Sequence, residues 1–217
     1  MRRHCGIGRV RIHALLLLAA ILSSVAALGC GSTSSSVQST PVANETPTVS
    51  KWVPYDAGES GFSIKFPSPL LRRVTDSDAL QPFRDVSPGA SVHGFQSIDG
   101  RYLFVVVARP EEVTAQIRNA EKAVYEHAAE VMAKALKTGM QGAKDVTAKS
   151  GRLGGLNGTF VSYSKGGEGG AEYKFVSWYH LYGRGMVFDV FASRPLVDLS
   201  PNADSLPKVL QSFHATD

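Results

Sequence analysis

Tyr102-Leu103-Phe104-Val105-Val106-Val107 is apolar at every position, and this run constrains the fold more than any other stretch of the chain. Successive side chains of a strand point to opposite faces, so a strand with no polar side must be covered on both. Just before it, Asp99-Gly100 separates Ser91–Ile98 from Arg101–Ala108. That dipeptide suits a two-residue hairpin turn, because both turn positions take positive φ. The expected centre of the fold is therefore a hairpin whose second arm is a central strand.

The flanking segments supply the layers. Upstream, Gly61-Phe62-Ser63-Ile64-Lys65-Phe66-Pro67 alternates apolar and polar residues, the mark of a half-buried strand stopped by proline. Residues 68–90 carry several prolines, which predicts short, irregular structure. Downstream, Pro110, Glu111 and Glu112 suit the first turn of a helix. Val113, Ile117, Ala120, Val124, Ala128, Val131 and Ala135 recur at helical spacing as one apolar stripe, with Gly139 as the stop. After a loop, three strands are predicted as a meander, at Asn157–Ser164, Glu172–Leu181 and Met186–Ser193. A short helix starting near Asn202 closes the chain and packs Leu206, Val209, Leu210 and Phe213.

The first thirty residues decide where such a domain works. Met1 to His13 holds four arginines and no acid, Ala14 to Leu28 is an apolar run, and small residues lead to Ala27-Leu28-Gly29-Cys30. The pattern resembles a bacterial lipoprotein signal. That resemblance implies removal of residues 1–29, acylation of Cys30 and attachment to the extracytoplasmic face of a cell membrane or outer membrane. Residues 31–50 hold ten Ser/Thr and two Pro, a composition that stays solvated. As a 20-residue flexible tether they span roughly 25 Å r.m.s.. Residues 51–217 are then a single globular domain.

Removing the leader changes the bulk charge. Taking its four arginines from the 23 basic residues leaves 19 against 19 acidic residues, so the mature chain is formally neutral. Formal neutrality gives no evidence for nucleic-acid binding, and no nucleic acid is expected as a partner. Cys5 leaves with the leader, so Cys30 remains alone, no intramolecular disulfide is possible, and the core holds by packing.

Element order, together with Gly61-Phe62-Ser63-Ile64-Lys65-Phe66-Pro67 at the start and Leu210-Gln211-Ser212-Phe213 at the end, resembles the PsbP-like fold. The resemblance implies an α+β class: an antiparallel sheet flanked by helices, an α/β/α sandwich with one long central helix and a short C-terminal helix. It also implies a binding or assembly factor, with no shared catalytic residue to carry over.

The search for chemistry ends on the meander. Ser162-Tyr163-Ser164-Lys165 matches S-x-x-K, but at a strand end rather than a helix start. The glycines of 151–158 and 166–170 precede strands and read as turns, not phosphate cradles. His93, His127, His180 and His214 lack metal-ligand spacing, so neither metal nor cofactor is expected. If Gly183-Arg184 is a two-residue turn, Trp178 pairs with Asp189 and His180 with Val187. Trp178, His180, Asp189 and Phe191 then share the face opposite an aromatic core face of Tyr173, Phe175, Ser177, Tyr179 and Leu181, joined by Met186, Phe188, Val190 and Ala192. The four form a ligand platform, a general base oriented by an acid (His180 and Asp189), or a second packed face under a helix. The expected function is a non-enzymatic, membrane-anchored envelope module with a protein or small-ligand partner. An envelope hydrolase and a structural spacer are the alternatives.

Overall fold

The computed structural model describes residues 51–76, 78–110, 122–167, 170–183, 185–197 and 204–216. Cys30, the leader and the tether lie outside them. At the centre is strand β5 (Leu103–Pro110), paired antiparallel with β4 (Ser91–Gln96) and β9 (Met186–Pro195). Phe104, Val106 and Ala108 face one side, Val105 and Val107 the other, and all five are buried. The all-apolar run is thus the middle of a sheet packed on both faces.

That sheet has seven strands. Beyond β4 comes β3 (Arg72–Val74), and beyond β9 come β8 (Glu172–Tyr182), β7 (Leu156–Gly166) and β6 (Lys144–Leu153). Every neighbouring pair is antiparallel. On one face, Val105, Val107, Val161, Tyr179 and Phe191 pack under Leu80, Phe83 of helix α1 (Gln81–Val86), and Met132 and Leu136 of helix α2 (Lys122–Gly139). On the other, Phe104, Val106, Phe188 and Val190 meet two elements. One is a three-stranded sheet of β1 (Lys51–Asp56), β2 (Phe62–Ser68) and β10 (His214–Ala215). The second is helix α3 (Ser205–Gln211). The class is α+β with antiparallel sheets, as expected. The layer opposite α2 is largely a small sheet, where helices were expected.

Four local expectations are corrected. Pro110 does not open the helix; it ends β5, opposite Met186. Val113, Ile117 and Ala120 lie outside the described residues. The buried stripe of α2 is Tyr125, Ala129, Met132 and Leu136, continued by Met140, and Val124 is exposed. The helix is turned by one residue, about 100°, from the Val124–Ala135 phase. The long side chains reach the sheet, while Ala128, Val131 and Ala135 flank the contact.

The β4–β5 loop is longer than two residues. Ser97 N donates to Tyr102 O (3.0 Å) and Gly100 N to Ser97 O (3.0 Å), so Ile98–Arg101 form the loop. Gly100 has φ of 71° and Asp99 is not left-handed. Asp99 accepts from the Arg101 N–H (3.1 Å) and the Ser97 hydroxyl, a side-chain closure added to the backbone one.

β6 was expected as loop. Its Val146 and Ala148 are its weak apolar side, and Lys144, Lys149 and Arg152 suit the edge of a sheet. It turns into β7 through Gly154-Gly155, with φ of 57° and 84°. Helix α3 spans Ser205–Gln211, and the expected start near Asn202 lies outside the described residues. Leu206, Val209 and Phe213 are buried as expected, and Leu210 packs at the margin.

Candidate functional site

The β8–β9 hairpin sets the geometry of the predicted site. Gly183 N donates to Met186 O (2.9 Å), so Gly183 still belongs to the paired arms and is not the first residue of the turn; Arg184 is outside the described residues. Tyr182 pairs with Val187 and Leu181 with Phe188. A bulge follows, in which Tyr179 and His180 oppose the single residue Asp189, and the register resumes at Trp178–Val190. The expected Trp178–Asp189 and His180–Val187 pairs do not form.

A slip in register exchanges the faces of a strand. Leu181, Phe188, Val190 and Ala192 belong to the core under the small sheet, and Trp178 packs against the same core. Tyr179 and Phe191 lie in the core under α2, with Phe175 at its margin. The grouping of Leu181 with Phe175 and Tyr179, and of Trp178 with Asp189 and Phe191, is corrected accordingly. Phe191 is covered by the Phe83 ring of α1 (4.9 Å) and meets Tyr179 edge-on (5.4 Å). Trp178 stands edge-on to Phe160 (5.2 Å), over Gly151, where a Cβ would fall 2.9 Å from the indole.

His180 and Asp189 do meet, through the backbone. His180 has φ of 56° and donates its N–H to Asp189 Oδ1 at 2.8 Å. Arg109 of β5 donates from Nη2 to Asp189 Oδ2 at 3.1 Å. The Asp189 side chain is 4% exposed and that of Arg109 is 20% exposed. Arg109 Nε is buried without a hydrogen-bond partner. Among the described residues no hydrogen bond joins the His180 imidazole to Asp189; the ring stacks on Tyr182 at 6.2 Å instead. The carboxylate therefore holds a left-handed residue in a bulge and neutralises a cation. It does not orient an imidazole as a base.

A second polar constellation, which the sequence reading missed, joins the two sheets. Tyr55 of β1 places its hydroxyl 2.8 Å from His93 Nδ1 on β4, and His93 Nε2 lies 2.9 Å from the hydroxyl of Ser60. Ser60 ends the 3-10 turn Gly58–Ser60 between β1 and β2. Phe62 meets the imidazole edge-on at 5.0 Å, and the Arg73 guanidinium lies 5.1 Å over the Tyr55 ring. Burial, then the Arg73 charge, pushes His93 below its ordinary value of 6.5. Burial likewise pushes the Tyr55 phenol up, against an opposing pull from Arg73.

A neutral imidazole donates from one nitrogen and accepts at the other, which satisfies both hydroxyls. Ser60 and His93 are placed like a nucleophile and its base, but Ser60 is buried. The nearest backbone donors are also engaged: Ser60 N to Ala57 O (3.2 Å) and Gly61 N to Gly58 O (2.9 Å). The arrangement acts as a hydrogen-bonded clamp between sheets. It leaves no local signature because Ser60 and His93 are 33 residues apart and meet only through sheet packing.

His127 and His214 are exposed. Among the described residues no cluster of three His, Cys, Asp or Glu is placed to hold a metal ion, and no helix is long and apolar enough to cross a membrane.

No family model matches the chain, and no curated protein is similar to it in sequence. Several solved structures are similar in shape. The solution structure of cyanobacterial PsbP (CyanoP) from Synechocystis sp. PCC 6803 is 14% identical, with a TM-score of 0.47, over 85% of this chain and 98% of that one. LpqN, involved in cell envelope biogenesis of Mycobacterium tuberculosis, is 14% identical with a TM-score of 0.40, over 77% and 91%. A protein from Bacteroides thetaiotaomicron is 15% identical with a TM-score of 0.45; 76% of this chain spans 48% of that one, about half its length.

Proposed function

We propose that the chain is a lipid-anchored extracytoplasmic module of the cell envelope, which binds a protein or small-ligand partner and does not turn over a substrate. The observation that carries the reading is the leader ending at Cys30, followed by a polar tether that reaches the first strand at Lys51. Two features favour binding over catalysis. The Asp189 carboxylate is committed to Arg109 and the His180 backbone. The Ser60–His93–Tyr55 chain is committed to sheet docking. What stays partly open at the bulge is the His180–Tyr182 ring stack, an aromatic platform of the kind that takes a planar or apolar group.

The test is photocross-linking from position 180, in cells, with the wild-type signal and with Cys30→Ala. A discrete adduct in the anchored chain that is lost or much reduced with Cys30→Ala supports the reading. No adduct in either chain counts against a binding role at this platform.

A further inference from the structure

We infer that the end of the fold at which the tether enters is a lipid-docking surface, which seats Trp52, Ile98 and Val197 in the interface of an anionic bilayer. The inference rests on the anchored reading above and says which way the domain faces.

Strand register brings these residues to one end. In the small sheet Lys51 lies opposite Ser68 and Trp52 opposite Pro67. Phe62 of β2 packs on His93, and Phe66 on Phe95, both at 5.0 Å, so β2 and β4 run the same way and Ser68 lies toward Gln96. Ile98 stands in the loop just beyond Gln96. Leu103 pairs with Ser193, and Val197 follows two residues after the end of β9, at the same edge.

Trp52, Ile98 and Val197 are 37%, 67% and 72% exposed, three of the four large exposed apolar residues among those described. The fourth, Val124, is near the start of α2. That is the far end, because the C-terminal end of α2 leads into Lys144 of β6, which lines up through β7 and β8 with Arg194. Single exposed apolar residues are ordinary on a soluble surface. Three gathered where the chain enters are not.

Charge selects the kind of surface. Lys51, Arg72 and Arg101 are exposed around the three apolar residues. Among the described residues three carboxylates lie at this end: Asp99 accepts from the Arg101 N–H and Ser97, Asp145 accepts from the Ser164 hydroxyl, and Glu172 pairs with Lys144 at 2.7 Å, which leaves Lys51, Arg72 and Arg101 as the cations nearest the apolar residues. Exposed cations beside an indole and aliphatic tips match the anionic headgroup layer. The tether makes a weak affinity sufficient. A flexible segment of twenty residues has an r.m.s. span of roughly 25 Å, so the second contact is intramolecular.

The experiment uses the lipidated chain, extracted from membranes and reconstituted into phosphatidylcholine vesicles with or without phosphatidylglycerol. An environment-sensitive fluorophore is placed on Ile98→Cys or, at the opposite end, on Glu59→Cys; both positions are exposed. Brominated acyl chains are expected to quench the label at 98 several-fold more than the label at 59 in phosphatidylglycerol vesicles. The difference should shrink in phosphatidylcholine alone and with Arg72→Gln/Arg101→Gln. Equal quenching at both positions, in a chain that still floats with the vesicles, overturns the docking surface alone. A chain that does not float overturns the anchor, and the docking inference with it.

Discussion

Replacing Asp189 by alanine strips two donors of their acceptor at once: the His180 N–H at 2.8 Å and the Arg109 guanidinium at 3.1 Å. Losing the partner of a buried charge costs about 3–5 kcal/mol, most of it the penalty on the stranded ion. Arg109 is 20% exposed and its guanidinium can turn toward water, which puts Asp189→Ala near about 3 kcal/mol. The reverse deletion, Arg109→Leu, strands a carboxylate only 4% exposed and should cost more, about 4–5 kcal/mol. Asp189→Asn keeps an acceptor for the His180 N–H but turns its NH2 toward the Arg109 guanidinium and still strands the cation, at about 2–3 kcal/mol. For a chain of this size about 3 kcal/mol corresponds to a fall in Tm of about 6–12 °C. Urea denaturation followed by circular dichroism at neutral pH gives all three, and the double variant Arg109→Leu/Asp189→Asn should cost less than the sum of its parts. If Asp189→Ala and Arg109→Leu each stay within about 0.5 kcal/mol of wild type, the pair does not hold the bulge and the reasoning fails.

Other expectations follow from the same geometry. Gly155→Ala meets open space at φ of 84° and should cost about 1–2 kcal/mol, the left-handed penalty alone. Gly154→Ala adds a Cβ 2.7 Å from Phe213 O and should cost at least about 1 kcal/mol more in the same melts; equal values would contradict the packing of Phe213 on this turn. His93 sits below 6.5 in the folded state, so between its folded and unfolded values the unfolded chain binds more protons. Its contribution is fully present above about pH 6.5 and is lost as pH falls through the folded value, a slope that His93→Gln should flatten. An unchanged slope in that variant would show that His93 is not the titrating group. A fluorophosphonate probe should leave Ser60 unlabelled at neutral pH. Labelling abolished by His93→Gln would favour a hydrolase.

Patterning made the strongly periodic parts of the fold legible. The double-sided burial of Phe104 to Val107 and the three meander strands were readable because their apolar periods leave little choice. Edge strand β6 was not, since one of its faces meets water and the other buries little beyond Val146 and Ala148. The phase of α2 was misjudged because the small residues Ala128, Val131 and Ala135 repeat at the same spacing as Tyr125, Ala129, Met132 and Leu136, and size decided which stripe reached the sheet.

The candidate site failed at a single residue. Between Tyr173 and Leu181 the apolar period already falters at Val176, Ser177 and Trp178, but nothing there singles out His180 as the residue that enters the left-handed region opposite Asp189. That extra residue is enough to send Trp178 to the other face. The Tyr55–His93–Ser60 clamp depends on how one sheet lies on another, which no local period encodes.

The most direct measurement is the intact mass of the protein extracted from membranes, read together with its N-terminal peptide. The account predicts a mature chain beginning at Cys30 and carrying a diacylglyceryl group on its thiol. A chain that retains residues 1–29, or one cleaved elsewhere with an unmodified Cys30, would contradict it.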